Sequence, residues 1–436
     1  MVKPFLKGLP RAMMSPTTRH RSGDRLPPGF HWLIAAQFSS ALADNALLII
    51  AIALLQLQGY PGWWAPMLKF AFTVSYVVLA PFVGPLADAF PKARLMAWMN
   101  GLKVLGVLGM LLGLHPVAAF GIIGLGAAAY APAKYGLVTE LVPAHRLVMA
   151  NGWIEVSIVC AALLGTALGG GLVCAWWLDT AWVAQAESDL VALGLGSAQQ
   201  LAPSLVALLW VYALAGLLNL GVADSGARYP AVQLCWRSLV KDFWLSNGRL
   251  WSDPLGGRLS LSVTTLFWGV GATLQFAVLR WATEQMGLPL DKAAQLQVAV
   301  ALGVVGGAVA AANMVHLRAA HRVLPAGVLL GALIALVGWS QGLWLAVAML
   351  AAVGATAGFL VVPLNALLQH RGSALLSAGR SIAVQGFNEN LSILLMLAIY
   401  TGLIALELPV AVMMSGLGLA IAAFMARMVV QQRRPS

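Results

Sequence analysis

Apolar runs of about 20 residues recur along almost the whole chain, and that recurrence constrains its fold more than any other feature. A helix needs about 20 such residues to cross a bilayer. Twelve runs are legible, near 32–57, 66–88, 94–114, 117–139, 149–175, 203–223, 259–283, 294–316, 324–340, 342–368, 376–402 and 407–430. Only 9% of the 436 residues are charged and 60% are hydrophobic, whereas soluble domains carry roughly 25% charged residues. The expectation is an all-α membrane protein with twelve transmembrane helices.

Short loops rich in Lys and Arg stay in the cytoplasm. With twelve spans and a cytoplasmic start, the cytoplasmic segments hold 21 of the 26 Lys and Arg residues. These include Lys3, Lys7, Arg11, Arg19, Arg21 and Arg25 in the N-terminal tail, Lys92, Arg94, Arg146, the cations from Arg228 to Arg258, and Arg427, Arg433 and Arg434. The outward loops carry little beyond Lys69, Arg280 and Lys292. Both termini are therefore expected in the cytoplasm. The net charge of +11 is then a matter of topology and anionic lipid, not of nucleic acid. No apolar core with a small-residue cleavage site precedes the first run, so no cleaved leader is expected.

The spans divide into two halves, 32–223 and 259–430, flanked by a basic tail at 1–31 and a short tail at 431–436. The connection at 224–258 mixes cations, acids and apolar residues, and is expected to form a helix at the membrane surface. Internal similarity supports the division. "GAAAYAPAKYGLV" (Gly126–Val138) and "TAGFLVVPLNALL" (Thr356–Leu368) each combine small residues, an aromatic, and a Pro two residues before a polar side chain, Lys134 or Asn365. Such correspondence between two six-span pseudo-repeats is what a transporter built from parallel repeats shows.

Polar groups inside the runs are candidates for function, because a charge near the bilayer centre costs at least about 2.5–3.5 kcal/mol. Gln37, Ser40 and Asp44 form one stripe at helical spacing. Ser377, Ser381, Gln385, Asn388 and Ser392 form another, adjoined by Glu389 and Asn390, while Asn151 and Glu155 share a face. The serines and single amides read as glue between helices. Asp44, Lys134, Glu155 and Glu389 read as charges sharing an enclosed cavity.

Soluble-type chemistry has little to stand on. There is no Gly-Lys dipeptide and hence no P-loop. Cys160, Cys174 and Cys235 have no motif spacing and the seven histidines are scattered, so neither a disulfide frame nor a metal site is expected. "HRSGD" (His20–Asp24) falls one residue short of an acyltransferase H-x4-D pattern. No enzyme activity and no cofactor are expected.

"GPLADAFPKARL" (Gly84–Leu95) resembles the G-x-L-A-D-R-x-G-R-K loop of the major facilitator superfamily at Gly84, Leu86, Ala87, Asp88 and Lys92, with Ala89 and Pro91 departing from it. Asp88 beside Lys92 and Arg94 is expected either to hold two helix ends together in one state of a gate or to form a solvated ion pair. Longer stretches are more specific. "AQFSSALADNALL" (Ala36–Leu48), "APFVGPLAD" (Ala80–Asp88), "LFWGVGATL" (Leu266–Leu274), "VVPLNALLQHRG" (Val361–Gly372) and "AVQGFNENLSILLMLAIY" (Ala383–Tyr400) resemble the bacterial lysophospholipid transporters of that superfamily, as does Gly126–Gly136.

The resemblance implies a twelve-helix carrier of the bacterial inner membrane. Such a carrier moves lysophospholipids, chiefly lysophosphatidylethanolamine, from the outer to the inner leaflet for reacylation by a cytoplasmic acyltransferase/acyl carrier protein synthetase. Asp44 and Lys134 fall on charged positions of the family, whereas Gln275 stands where a basic residue is expected. The head group pairs an ammonium with a phosphate. Asp44 is therefore expected to take the ammonium and Lys134 the phosphate, with Asn45, Gln275, Asn365, Gln385 and Asn388 as uncharged contacts. A proton-coupled exporter of amphipathic molecules, with Asp44 or Glu389 carrying the proton, and a membrane scaffold for lipid enzymes are the rival readings.

Overall fold

The computed structural model describes residues 27–61, 64–222, 224–227, 229, 235–288 and 290–433. Most of the expected basic tail, the His20–Asp24 pattern, Arg228 and Arg434 lie outside the described residues, as do the side chains of Lys292 and Arg433. Among the described residues the regular structure is entirely helical. The first group is α1 (Pro28–Leu57), α2 (Trp64–Ala89), α3 (Lys92–Leu111), α4 (Pro116–Leu141), α5 (Leu147–Val173), the short α6 (Ala175–Leu178) and α7 (Ala181–Ala192), and α8 (Ala202–Leu220). There follow α9 (Trp236–Trp251), α10 (Gly257–Glu284), α11 (Leu290–Met314), α12 (Leu324–Val337), α13 (Leu343–Leu375), α14 (Ala378–Ala405) and α15 (Val410–Arg433).

Eleven stretches of helix are long and apolar enough to cross a bilayer: α1, α2, α4, α5, α8, α10, α11, α13, α14, α15, and α12 joined to the 3-10 turns that lead into it, Leu317–Val337. At the third expected run stands α3, 20 residues long, which carries Lys92, Arg94 and Lys103. Helices α6 and α7 occupy a stretch where no element was expected from the sequence. Prolines open α1 and α4, where an N–H would have no intrahelical partner. Others stand inside α2, α4 and α13, positions at which membrane helices tolerate proline more readily than soluble ones do.

Within the first group α1 packs on α5 and α8, α2 on α4, and α3 on α4 and α8; in the second, α10 packs on α14, α11 on α13, and α12 on α15. One buried apolar cluster draws only on residues between Ala43 and Tyr212, and another only on residues between Val263 and Met425. The groups meet where α2 crosses α14 and α5 crosses α11. Glycines set that distance: a Cβ on Gly84 would stand 2.9 Å from the Arg380 Cα, and one on Gly379 2.6 Å from the Gly84 carbonyl oxygen. The tightest crossing joins α11 and α13, where Gly303, Gly307, Gly354 and Gly358 lie at spacings of four on both helices. A Cβ at Gly307 or Gly354 would fall 2.0 Å from a facing carbonyl oxygen, the arrangement by which small residues let membrane helices approach.

The surface-helix expectation for the 224–258 connection meets α9. Its Phe243 and Leu250 are buried in a cluster with Ala80 of α2, Leu261 of α10, Leu368 of α13 and Val384 of α14. Gly256, at φ 119°, turns the chain from α9 into α10 in a conformation that side chains with a Cβ rarely adopt.

Candidate functional site

Between the two groups lies a cavity of about 310 Å³ lined by α2, α4, α10 and α14. Its polar lining consists of Lys69, Thr73 and Tyr76 from α2, Lys134 and Tyr135 from α4, Trp268 from α10, and Gln385, Glu389 and Asn390 from α14. Phe72, Val83, Ile382, Phe387 and Ile393 are among its apolar walls. Helical spacing brings Gln385 and Glu389 to one face of α14, and Gln385 donates to Glu389 Oε1 at 2.8 Å and to Asn365 Oδ1 at 3.1 Å. Lys134 stands 4.2 Å from the centroid of the Tyr135 ring, within cation–π range. Two buried polar atoms here have no partner, the Trp268 Nε1 and the Gln385 Oε1, and unpaired buried groups favour a polar ligand energetically. No cluster of metal-ligating side chains occurs among the described residues.

The α1 stripe faces inward to its own group of helices. Gln37 accepts from the Lys134 ammonium at 3.1 Å and donates to Ser157 Oγ at 3.1 Å, linking α4, α1 and α5. Asp44 is held by the Lys103 ammonium of α3 at 2.6 Å and accepts from the Tyr212 hydroxyl of α8 at 2.7 Å. Lys103 also donates to Ser40 Oγ at 2.9 Å, and Ser40 donates to Asn100 Oδ1 at 2.8 Å. With 18% of its side chain exposed and Lys103 only 2%, the Asp44 carboxylate already has a cation, and Asp44 does not line the cavity that Lys134 lines.

Other expected contacts separate. Asn45 donates back to the Ala41 carbonyl oxygen in its own helix at 2.8 Å. Gln275 is exposed and lines a smaller, mostly apolar pocket of about 120 Å³ with Gln297, Val300 and Met425, away from Lys134. Asn388 turns to α9: it donates to Asn247 Oδ1 at 2.8 Å and accepts from Trp251 Nε1 at 3.1 Å. Asn365 is buried and reaches the cavity through Gln385, and Glu155 is buried on α5 outside the cavity lining.

At the α2–α14 crossing Asp88 bridges the groups. It accepts from the Gly379 N–H at 3.0 Å and from the Ser377 hydroxyl, both at the start of α14. The expected partnership of Asp88 with Lys92 and Arg94 is arranged differently. Lys92 is buried against Glu140 of α4 at 2.6 Å and lies 4.8 Å from the Tyr229 ring centroid, while Arg94 is exposed. Tyr229 donates to Glu140 Oε1 at 2.8 Å. Burial, then the Glu140 charge and that hydrogen bond, push its phenol above the ordinary value. A second bridge joins α5 to α13, where Asn151 and Gln369 exchange hydrogen bonds. Beside α10, Arg371 grips Asp253 through two nitrogens at 2.8 and 3.1 Å, and the Gly257 N–H donates to the same carboxylate. Burial alone would raise the Asp253 carboxyl; the hydrogen bonds from Arg371 and Gly257 outweigh it and hold the group below its ordinary value.

Sequence reasoning missed Lys103, Tyr212 and Glu140. Lys103 carried the same signal as Asp44, a lone charge within a run, and the pairing of the two is their mutual answer. Lys69, expected in an outward loop, lies within α2 and lines the cavity.

Residues 33–397 match the sequence profile of the Major Facilitator Superfamily. The chain is 40% identical over 408 residues to the lysophospholipid transporter LplT of Citrobacter koseri, covering 93% of this chain and 96% of that one. It is 40% identical over 380 residues to LplT of Yersinia pestis, covering 87% of each. Among solved structures it superposes on the human organic anion transporter MFSD10 with a TM-score of 0.70 at 15% identity, over 92% of this chain and 100% of that one. On the transporter FucP in the outward conformation the TM-score is 0.69 at 16% identity, over 91% and 97%.

Proposed function

Since the chain belongs to the major facilitator superfamily and, within it, to the LplT lysophospholipid transporters, we propose that it is a carrier of lysophospholipids and not an enzyme. In this reading α3 is a further span, giving twelve helices in two six-helix halves, 32–223 and 259–430. Both termini face the cytoplasm of a bacterial inner membrane. The end where α2 meets α14 then faces inward, and the cavity receives lysophosphatidylethanolamine from the outer leaflet. The lipid is released to the inner leaflet for a cytoplasmic acyltransferase/acyl carrier protein synthetase.

The observation that carries the reading is a single cavity presenting both signs of charge, Lys134 and Lys69 against Glu389. The phosphate goes to the cations, as charge-assisted hydrogen bonds require. The ammonium goes to Glu389 and to the faces of Tyr76 and Tyr135, which line the same space. This revises the earlier assignment of the ammonium to Asp44, whose carboxylate is occupied by Lys103. The acyl chain stays among apolar helix faces, where each CH2 gains about 0.8 kcal/mol over water.

The test follows labelled lysophosphatidylethanolamine into proteoliposomes of the purified chain, with and without an ionophore, for the parent, Lys134→Ala and Glu389→Gln. Uptake that is indifferent to the ionophore and lowered by about tenfold or more in both variants is expected. Absence of uptake by the parent would overturn the carrier reading. Uptake that collapses with the proton gradient would favour the exporter, and unchanged uptake in both variants would remove the site assignment.

A further inference from the structure

Helix α9 has two dissimilar faces. Leu239, Phe243, Ser246 and Leu250 are buried, and the inner face is fixed by the Asn247–Asn388–Trp251 hydrogen bonds and by edge-on contact of the Phe243 and Phe387 rings, 5.2 Å between centroids. The outer face exposes Trp236, Arg237, Lys241, Trp244, Leu245 and Arg249. No acid stands among those exposed residues. The acid of this helix, Asp242, is half-buried and lines a small crevice with Arg380 and Pro81. Arg237 lies 5.2 Å from the Trp236 ring, so cation and indole form one patch.

Three cations interleaved with two indoles and a leucine suit neither bulk water nor the hydrocarbon core. Indoles settle at head-group level, and each Lys or Arg near an anionic leaflet is attracted to it. A short helix with one such face lies in the plane of the interface. We propose that the outer face of α9 is a docking surface for the phosphate head groups of an anionic bilayer. Because its inner face grips α14 and shares a buried cluster with Ala80 of α2, the charge of the membrane surface acts through α9 on the seam between the two helix groups. The charge and the indoles of this face are independent of what the carrier transports.

Amide hydrogen exchange of residues 236–251 tests it, with the full chain in nanodiscs of phosphatidylcholine alone or mixed with phosphatidylglycerol at about three to one. The parent is expected to exchange severalfold more slowly in the anionic discs. The combined variant Arg237→Gln, Lys241→Gln, Arg249→Gln is expected to exchange equally in both, with an unchanged melting transition in detergent because all three side chains are exposed. Inorganic phosphate added to the zwitterionic discs is expected to change nothing. Equal exchange of the parent in the two discs would overturn the proposal, as would full slowing in the variant or slowing by phosphate alone. A variant that fails to melt cooperatively is replaced by the single Lys241→Gln, which must then lose part of the slowing.

Discussion

Asn151 of α5 and Gln369 of α13 exchange two hydrogen bonds of 2.9 Å, each amide donating to the other's oxygen in a buried site between the helix groups. Each carboxamide is the answer to its partner's polarity. Replacing Asn151 by Leu strands the buried Gln369 amide and replacing Gln369 strands the Asn151 oxygen, whose nitrogen keeps the Leu147 carbonyl, each at about 1–3 kcal/mol, whereas replacing both removes the stranded groups along with the bonds. Thermal unfolding in detergent is expected to show Asn151→Leu and Gln369→Leu each less stable than the double variant. Additive losses would mean the two amides act independently.

The Asp44–Lys103 pair obeys the same logic with charge. Lys103→Met leaves a largely buried carboxylate beside Tyr212 with no cation, which costs about 3–5 kcal/mol, and Asp44→Asn combined with Lys103→Met is expected to recover most of that loss. Melting temperatures of the two singles and the double measure it. Equal stability of parent and Lys103→Met would show that Asp44 does not rely on Lys103.

Head-group selectivity separates Glu389 from Lys134. If Glu389 meets the ammonium, Glu389→Gln lowers uptake of the ethanolamine lysolipid by roughly 10- to 150-fold, from a charge-assisted bond of roughly 1.5–3 kcal/mol, and spares a glycerol head group that has no ammonium. Lys134→Ala lowers both. Competition between the two lysolipids in proteoliposomes reads the difference.

Asp253 gives a pH signature. Its folded-state pKa is lowered, so its stabilising contribution is present above the unfolded value, about 3.9, and is lost as pH falls through the lower folded value. Asp253→Asn is therefore expected to be less stable than the parent at neutral pH, with the gap closing as the medium is acidified below the ordinary carboxylate range. Melting temperatures of both chains across that range check the sign. A gap that widens on acidification contradicts it.

At the α11–α13 crossing, Gly307→Leu or Gly354→Leu drives a side chain into carbonyl oxygens that a mere Cβ would approach to 2.0 Å. Either change is expected to cost 1–3 kcal/mol or more through overpacking, read as lost yield and a lowered melting transition. Gly306→Ala, where a Cβ meets nothing within 4 Å, is the control expected to be neutral.

The long helices were legible because the bilayer imposes their length: the run expected at 117–139 is α4, Pro116–Leu141, and that at 66–88 is α2, Trp64–Ala89. Partners were less legible, because pairing is a property of helix packing and not of spacing along one helix. Gln385 and Asn388 are three residues apart and look like neighbours on one stripe. In the bundle one side of α14 faces the cavity and the adjoining side faces α9, so the two amides serve different tasks. The stripe Gln37–Ser40–Asp44 was visible, but the donors it accepts from, Lys134 and Lys103, lie 97 and 59 or more residues away. Asp88 was visible as well. Its partner on α14 is 291 residues distant, beyond the reach of any local motif.

That last contact is also a helix cap supplied from another helix. Helix α14 borrows part of its N-terminal cap from α2, since the Asp88 carboxylate takes the Gly379 N–H and the Ser377 hydroxyl. Without α2 against it, the first turn of α14 would lack a charged acceptor and its amides would turn to water. The cap of one helix is thus held in place by the packing of another, and the start of α14 is only as well satisfied as its seam with α2 is closed.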